Sequence, residues 1–254
     1  MRVVSLNVNG IRAAGRKGFF DWLSAVDADF LCLQETKAQK HQLTDELYHP
    51  PGYHVFFHDA ERPGYSGVAV YAKRKPKEVI RHLGWDCADT EGRFLLCDYD
   101  DLSIASLYLP SGSSKDERQA LKEDFMERFY PILAEYRKQG KPFILCGDWN
   151  IVHKEIDIKN FKSNQKSSGC LPHERAWLDQ VFVELGWVDA FRVVEPGAHQ
   201  YSWWSNRGRA WDNNVGWRID YQVVTPDLGE RVKNAYIYKD ERFSDHAPVV
   251  VDYA

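Results

Sequence analysis

The chain has 254 residues, 44% of them apolar and 14% aromatic. That is ample for a large core, and no apolar run is long enough to span a bilayer. A formal charge of −4 excludes nucleic-acid binding by bulk positive charge and leaves only a local basic patch for that purpose. Cys32, Cys87, Cys97, Cys146 and Cys170 are odd in number, widely spaced and free of any CxxC pair. They fit neither a disulfide framework nor a zinc site, and Cys32 and Cys146 read as small buried residues.

The chain opens directly on a strand-like segment, Val3–Val8, with no basic-apolar leader, so a cytoplasmic location is expected. Gly18–Val26 reads as a helix, with Phe19, Trp22, Leu23 and Val26 at i, i+3, i+4 and i+7. Asp29–Gln34, Val68–Ala72, Phe94–Asp98 and Leu102–Leu109 read as strands. Asp116–Gln139 is a long amphipathic helix with Leu121, Phe125, Phe129 and Leu133 on one stripe, punctuated by Gly140 and Pro142. Phe143–Cys146 is a buried strand, Val152–Cys170 a polar irregular stretch, and Pro172–Leu185 a helix stopped at Gly186. Ile219–Thr225 and Ala247–Asp252 complete the strands. The order predicts an α/β fold of one unit, residues 1–254, with two sheets packed together and helices outside.

The informative residues lie where apolar strands end. Asn7 follows Val3–Leu6, Glu35 follows Phe30–Leu33, and Asp148 and Asn150 follow Phe143–Cys146. Asp220 sits in Trp-Arg-Ile-Asp-Tyr, and Asp245 with His246 precedes Ala247–Val251. Strand ends converge on one edge of an α/β sheet, so these groups are placed to share a pocket. Singly, each has a plainer reading: Glu35 as a solvated helix start, Asp148 as a turn residue, Asp245 as a strand cap. A carboxylate or amide repeatedly ending a buried strand is harder to explain that way.

In order along the chain run Asn7-Val8-Asn9-Gly10-Ile11-Arg12, Leu33-Gln34-Glu35-Thr36-Lys37, Gly64-Tyr65-Ser66-Gly67-Val68-Ala69 and Tyr108-Leu109-Pro110-Ser111-Gly112. They continue with Gly147-Asp148-Trp149-Asn150, Leu171-Pro172-His173-Glu174-Arg175, Trp217-Arg218-Ile219-Asp220-Tyr221 and Ser244-Asp245-His246-Ala247-Pro248. Together they resemble the exonuclease III / apurinic-apyrimidinic endonuclease family from residue 3 to residue 253. The resemblance implies a four-layered α/β sandwich of two mixed β-sheets packed face to face. It also implies Mg²⁺, with Mn²⁺ as a substitute, and double-stranded DNA with abasic sites or damaged 3′ ends as substrate.

The same resemblance implies the roles. Glu35 is the first metal ligand, Asp245 a nearby partner, and Asn7 a bridge through its amide; Mg²⁺ takes only one or two carboxylates and keeps several waters. Asp148 positions and deprotonates the attacking water, and Asn150 orients it. His246 pairs with a phosphate oxygen while Asp220 fixes its tautomer, and Tyr108 places its hydroxyl on the phosphate. Arg12, Lys17, Gly64 and Tyr65 match backbone-gripping positions, as do Asn160, Lys162 and Asn164 in the polar loop. Lys162 taken alone is more simply a solvated lysine, and so is the run Lys73, Arg74, Lys75 and Lys77. Trp203, Trp217 and Ile219 match the walls of the abasic-sugar pocket, with Trp203 where Phe is more usual, whereas Trp204 reads as core. The segment Arg207–Asn214 is expected beside the lesion.

Two rivals share the fold. One is a non-catalytic RNA-level regulator of the catabolite repression control type, resembled in Glu174–Asp179 and Asp220–Val223. This chain keeps Glu35, Asp148, Asn150, Asp220 and Asp245, and a buried cluster of like charge needs a cation, which favours catalysis. The other is a phosphodiesterase acting on inositol phosphates or sphingomyelin. Those relatives differ in the Asn-x-Asn-Gly-Ile-Arg and Trp-Arg-Ile-Asp segments, and the lipid ones add leaders or membrane loops. A monomer is the default expectation.

Overall fold

The computed structural model describes residues 1–112 and 116–254. One six-stranded sheet runs β13 (Val232–Ile237), β14 (Val249–Tyr253), β1 (Arg2–Asn7), β2 (Phe30–Gln34), β4 (Val68–Ala72), β3 (His54–His58). The other runs β5 (Glu78–Ile80), β6 (Phe94–Asp98), β7 (Ser103–Tyr108), β8 (Phe143–Asp148), β12 (Asp220–Val224), β9 (Val188–Asp189). Each is mixed: β1–β2 and β7–β8 are parallel and the remaining pairs antiparallel. A two-stranded ribbon, β10 (Trp203–Trp204) with β11 (Gly216–Trp217), stands apart.

Alternation along the strands splits the apolar residues into three cores. Val3, Cys32, Val70, Ile104, Ile144, Cys146 and Val249 fill the space between the sheets. Val4, Leu6, Leu31 and Leu33 face the helices Ile11–Arg16 and Phe19–Val26, whose Phe19, Phe20, Trp22 and Leu23 cover that outer face. Leu107, Leu145 and Val223 face the helices Asp116–Lys138 and Pro172–Asp179 through Phe125, Phe129, Trp177 and Leu178. The result is helix, sheet, sheet, helix, the four-layered sandwich expected. All five cysteines are free thiols.

Two polar ties cross the inter-sheet core. Gln34 Nε2 donates to Ser106 Oγ at 2.9 Å, and Ser106 Oγ donates to the Leu33 carbonyl at 2.8 Å. Gln222 Nε2 donates to the carbonyls of Val3 and Val249, and the Tyr253 hydroxyl donates to Gln222 Oε1. Paired buried amides of this kind fix the sheets' relative register, because any slip strands them without partners.

The structure differs from the sequence reading at the margins. His54–His58, Glu78–Ile80, Val188–Asp189 and Val232–Ile237 are strands that the apolar pattern does not announce, and all four lie at sheet edges. The stretch 152–170 carries two short helical turns, Glu155–Asp157 and Phe161–Asn164. The helix begun at Pro172 changes to π geometry over Gln180–Glu184. Leu121 is only partly buried, whereas Lys122 beside it is fully buried. Trp204 is core, and Arg74 and Lys77 pair at the surface with Asp101 and Asp100.

Candidate active site

Four strand faces aim the site residues. Side chains two apart share a face, so the inter-sheet rows are Val3-Ser5-Asn7, Ile104-Ser106-Tyr108, Ile144-Cys146-Asp148 and Val224-Gln222-Asp220. Register sets Tyr108 beside Asp148 across the parallel pair, and Asp220 beside Asp148 across the antiparallel one. Each row begins as apolar packing between the sheets and ends in a polar group at the same rim. Gly147 permits the approach: a Cβ there would lie 2.4 Å from the Leu107 carbonyl oxygen.

Loops bring the rest. Glu35 follows β2 with φ +49°, its carbonyl accepting from Gly10 N at 2.8 Å. Asp245 and His246 precede β14 and pair with the ribbon: Trp204 N donates to the Asp245 carbonyl and Ala247 N to that of Ser202. Asn9, Glu35, Lys37, Ser66 and Asn150 all have positive φ. Left-handed backbone at residues other than glycine is uncommon and collects at functional sites.

Glu35, Asp148 and His246 each present a ligand atom, all within 4.8 Å of one another. Asn7 Nδ2 donates to Glu35 Oε1 at 2.8 Å and to Asp148 Oδ2 at 2.9 Å, while its Oδ1 accepts from Asn9 N. Its amide therefore bridges the carboxylates through N–H. Asp245 is fixed differently: Asn9 Nδ2 and Ser244 Oγ donate to Oδ1, and Trp203 Nε1 to Oδ2 at 3.1 Å. Lys37 Nζ pairs with Glu35 Oε2 at 2.8 Å, a partner that the strand-end pattern did not single out.

Electrostatics separate the carboxylates. Burial and then the neighbouring Asp220 raise Asp148 to about 8. Burial opposes ionisation of Glu35, but Lys37, Asn7 and His246 outweigh it and its pKa is lowered. Burial opposes charge on His246 as well, yet Asp220, 2.9 Å from Nδ1, together with Asp148 and Asp245, lifts it to about 10. His246 is thus an imidazolium at neutral pH. Burial and the negative charge of Glu35 push the Tyr108 phenol well up, so it stays a proton donor.

Glu35, Tyr108, Asp148, Asn150, Asp245 and His246 line one cavity of about 860 Å³. Trp203, Trp217 and Ile219 form its apolar side, the two indoles meeting edge to face at 6.0 Å. The opposite rim holds Ser111, Gly112, Gln119, Lys166, Ser167, Ser168 and Leu171. Lys166 lines the cavity, whereas Asn160 and Lys162 border a separate shallow groove with Phe161 and Tyr201, and Asn164 Nδ2 gives one N–H to the Asn160 carbonyl. Arg12 is exposed, and Lys17 edges a small cleft beside Asn9, Arg242 and Asp245. Gly64 is exposed, and the Tyr65 hydroxyl is held by Arg93 and Arg118, with Arg93 lying over the Tyr108 ring at 4.8 Å.

The sequence and the fold match a known group. Residues 4–246 match the model of the Endonuclease/Exonuclease/phosphatase family, and the chain belongs to that family. It is 42% identical to an exodeoxyribonuclease of Bacillus subtilis over 98% of both chains. It is 36% identical to the DNA repair nuclease APEX1 of Danio rerio, covering 99% of this chain and 81% of that one. Among solved structures it superposes on an AP endonuclease from Archaeoglobus fulgidus with a TM-score of 0.91 and 28% identity, covering 100% and 99% of the two chains. The protein is a hydrolytic nuclease of the DNA-repair type.

Proposed function

We propose that residues 1–254 act as one catalytic domain, a Mg²⁺-dependent nuclease that cuts DNA 5′ to abasic sites and trims 3′ ends as a 3′–5′ exonuclease. The observation that carries the reading is the cluster Glu35, Asp148 and His246 facing an apolar indole-lined pocket within one cavity. The donor set fits a hard divalent ion: two carboxylates at close range, with Asp220 Oδ1 buried and, among the described residues, without a hydrogen-bond partner. Glu35 would hold the ion with Asp245 nearby, and Mn²⁺ would substitute. When bound, such an ion supplies positive charge for the phosphate and the departing 3′ oxygen.

The chain's own groups do the rest. Asp148, whose raised pKa places its protonation change close to neutral pH, takes the proton in its ionised form from a water set against the phosphate. Asn7 keeps that carboxylate at a fixed distance from Glu35. Asn150 commits one N–H to the Leu109 carbonyl at 2.8 Å, leaving the rest of its amide for the water or phosphate. The His246 imidazolium, braced by Asp220, and the neutral Tyr108 hydroxyl donate to the phosphate oxygens. An abasic nucleotide leaves the helix cheaply, and Trp203, Trp217 and Ile219 accept its bare sugar while crowding out an intact nucleotide. Arg12, Lys17, Gly64 and Tyr65 on one side, and Asn160, Lys162 and Asn164 on the other, hold the flanking backbone.

The proposal extends to a monomeric cytoplasmic enzyme of bacterial type; none of the described helices is long and apolar enough to cross a membrane. The test is a labelled duplex with one central abasic analogue beside an undamaged duplex, each in Mg²⁺, in EDTA and with Asp148→Asn protein. Single cutting at the lesion, lost in EDTA and in the variant, is the expected result. Laddering from the 3′ end of both duplexes would make it chiefly an exonuclease. No cleavage in Mg²⁺ would overturn the proposal.

A further inference from the structure

We propose that the buried ion pair Lys122–Glu174 is a positioning device for the nuclease site, acting through Asn150 and through the cavity rim at residues 166–171. Neither residue touches the reacting groups, and the inference rests on the hydrolytic reading of the site.

The pair lies under the cavity, 2.6 Å between Lys122 Nζ and Glu174 Oε1, with both side chains 0% exposed. Lys122 comes from the helix Asp116–Lys138 and Glu174 from the first turn of Pro172–Asp179. A buried ion pair is often no more stabilising than apolar side chains of the same volume, so stability alone does not account for it. Its remaining bonds do. Lys122 Nζ donates to the Asn150 carbonyl at 2.9 Å. Glu174 Oε2 accepts from Gly169 N at 2.6 Å and from Leu171 N at 3.1 Å.

Both clamped segments are conformationally unusual. Asn150 has φ +53°, and Gly169 has φ +88° with no room for a Cβ, which would sit 2.8 Å from the Asn150 carbonyl oxygen. The Asn150 carbonyl is thus the meeting point of the lysine and the glycine turn. Val152 N donates to the Gly169 carbonyl at 2.8 Å and closes the joint. Asn150, Lys166, Ser167, Ser168 and Leu171 all line the cavity. One charge pair therefore sets where the amide that orients water or phosphate stands relative to the cavity rim.

The test uses Lys122→Met/Glu174→Gln, which removes both charges and strands neither, with Glu174→Gln alone and Lys122→Arg beside it. The expected result for the double variant is a melting temperature close to wild type and a kcat on the abasic duplex about 10–100-fold lower, the scale set by sub-ångström misplacement of an orienting group. Glu174→Gln keeps the lysine on Asn150 and loses a rim acceptor, so KM for the duplex should rise more than kcat falls. Lys122→Arg, which keeps a donor for the Asn150 carbonyl, should recover most of kcat. A folded double variant with wild-type kcat and KM overturns the proposal. So does loss of activity that only tracks loss of folded protein in all three variants, which would leave the pair a core element and no more. If the double variant does not fold, the KM-against-kcat split in Glu174→Gln decides. Wild-type protein run alongside separates the two readings: failure to cut there would sink the nuclease proposal and not the joint.

Discussion

Asp148 occupies the point where the two sheets' inner faces run out, and its three neighbours have different jobs. Asn7 N–H holds its Oδ2, Asn150 N donates to its Oδ1, and His246 Nε2 stands 3.9 Å away. Replacing it with Asn keeps the shape and removes the base. Single-turnover cleavage by Asp148→Asn should fall about 10²–10⁴-fold, the usual contribution of a positioned base, while duplex binding measured by anisotropy persists. Loss of binding in parallel would point to a collapsed site. Trp203 supports a second prediction at this scale. Its indole N–H orients Asp245 while its ring walls the pocket, and a Phe there keeps a ring but loses the donor. Trp203→Phe should lower kcat/KM on the abasic duplex about 10–100-fold, the worth of one hydrogen bond to a charged group. It should also narrow the preference for an abasic site over an undamaged 3′ end; an unchanged preference would remove Trp203 from the selective wall.

At the scale of elements, the ribbon β10–β11 and the start of β12 are held from behind by charge. Arg218, flanked by the wall residues Trp217 and Ile219, is 1% exposed and pairs with Asp157 and Asp189. Arg192 adds a second guanidinium on Asp157. Burial would raise the Asp157 carboxyl, but Arg218 and Arg192 more than reverse this and hold it at about 2. The folded state therefore binds that proton less tightly than the unfolded chain does. Its stabilising contribution, about 2 kcal/mol, is complete above about pH 4 and is lost as the pH falls towards about 2. Urea midpoints between pH 5 and 2 should drop in wild type and drop less steeply in Asp157→Asn. That variant should also melt lower at neutral pH, because Arg218 stays buried with one partner fewer. Equal acid slopes for the two proteins would place the acid sensitivity elsewhere.

For the whole molecule, the relevant fact is that both sheets contribute to one charged cluster. Asn7 and Glu35 come from one sheet, Tyr108, Asp148 and Asp220 from the other, and His246 from the return to the first. A cation held there ties the sheets together in the folded state alone. At about 100 times its dissociation constant, Mg²⁺ should add roughly 2–3 kcal/mol of stability, which is about 5 °C or more in melting temperature for a chain of this size. The shift should vanish in EDTA and shrink in Glu35→Gln. A flat melting curve across Mg²⁺ concentrations would argue against an intact metal site.

The sequence by itself determined the eight interior strands, the long helix Asp116–Lys138 and the polar residues that end the strands. Burial on both faces forces apolar runs of strand length, so any polar side chain at their ends stands out. Edge strands such as His54–His58, half solvated, carry no such contrast. The sequence also marked Glu35, Asp148 and His246 as candidates, but not that they would meet within 4.8 Å. Tertiary structure decided that, since strand register is set by the inter-sheet core and by buried amides such as Gln34 and Gln222. It likewise decided that Lys166 rather than Lys162 borders the cavity, and that Lys37 and Trp203 secure Glu35 and Asp245. Loop lysines and indoles look alike along a chain, and only the folding of the backbone around them gives each its partner.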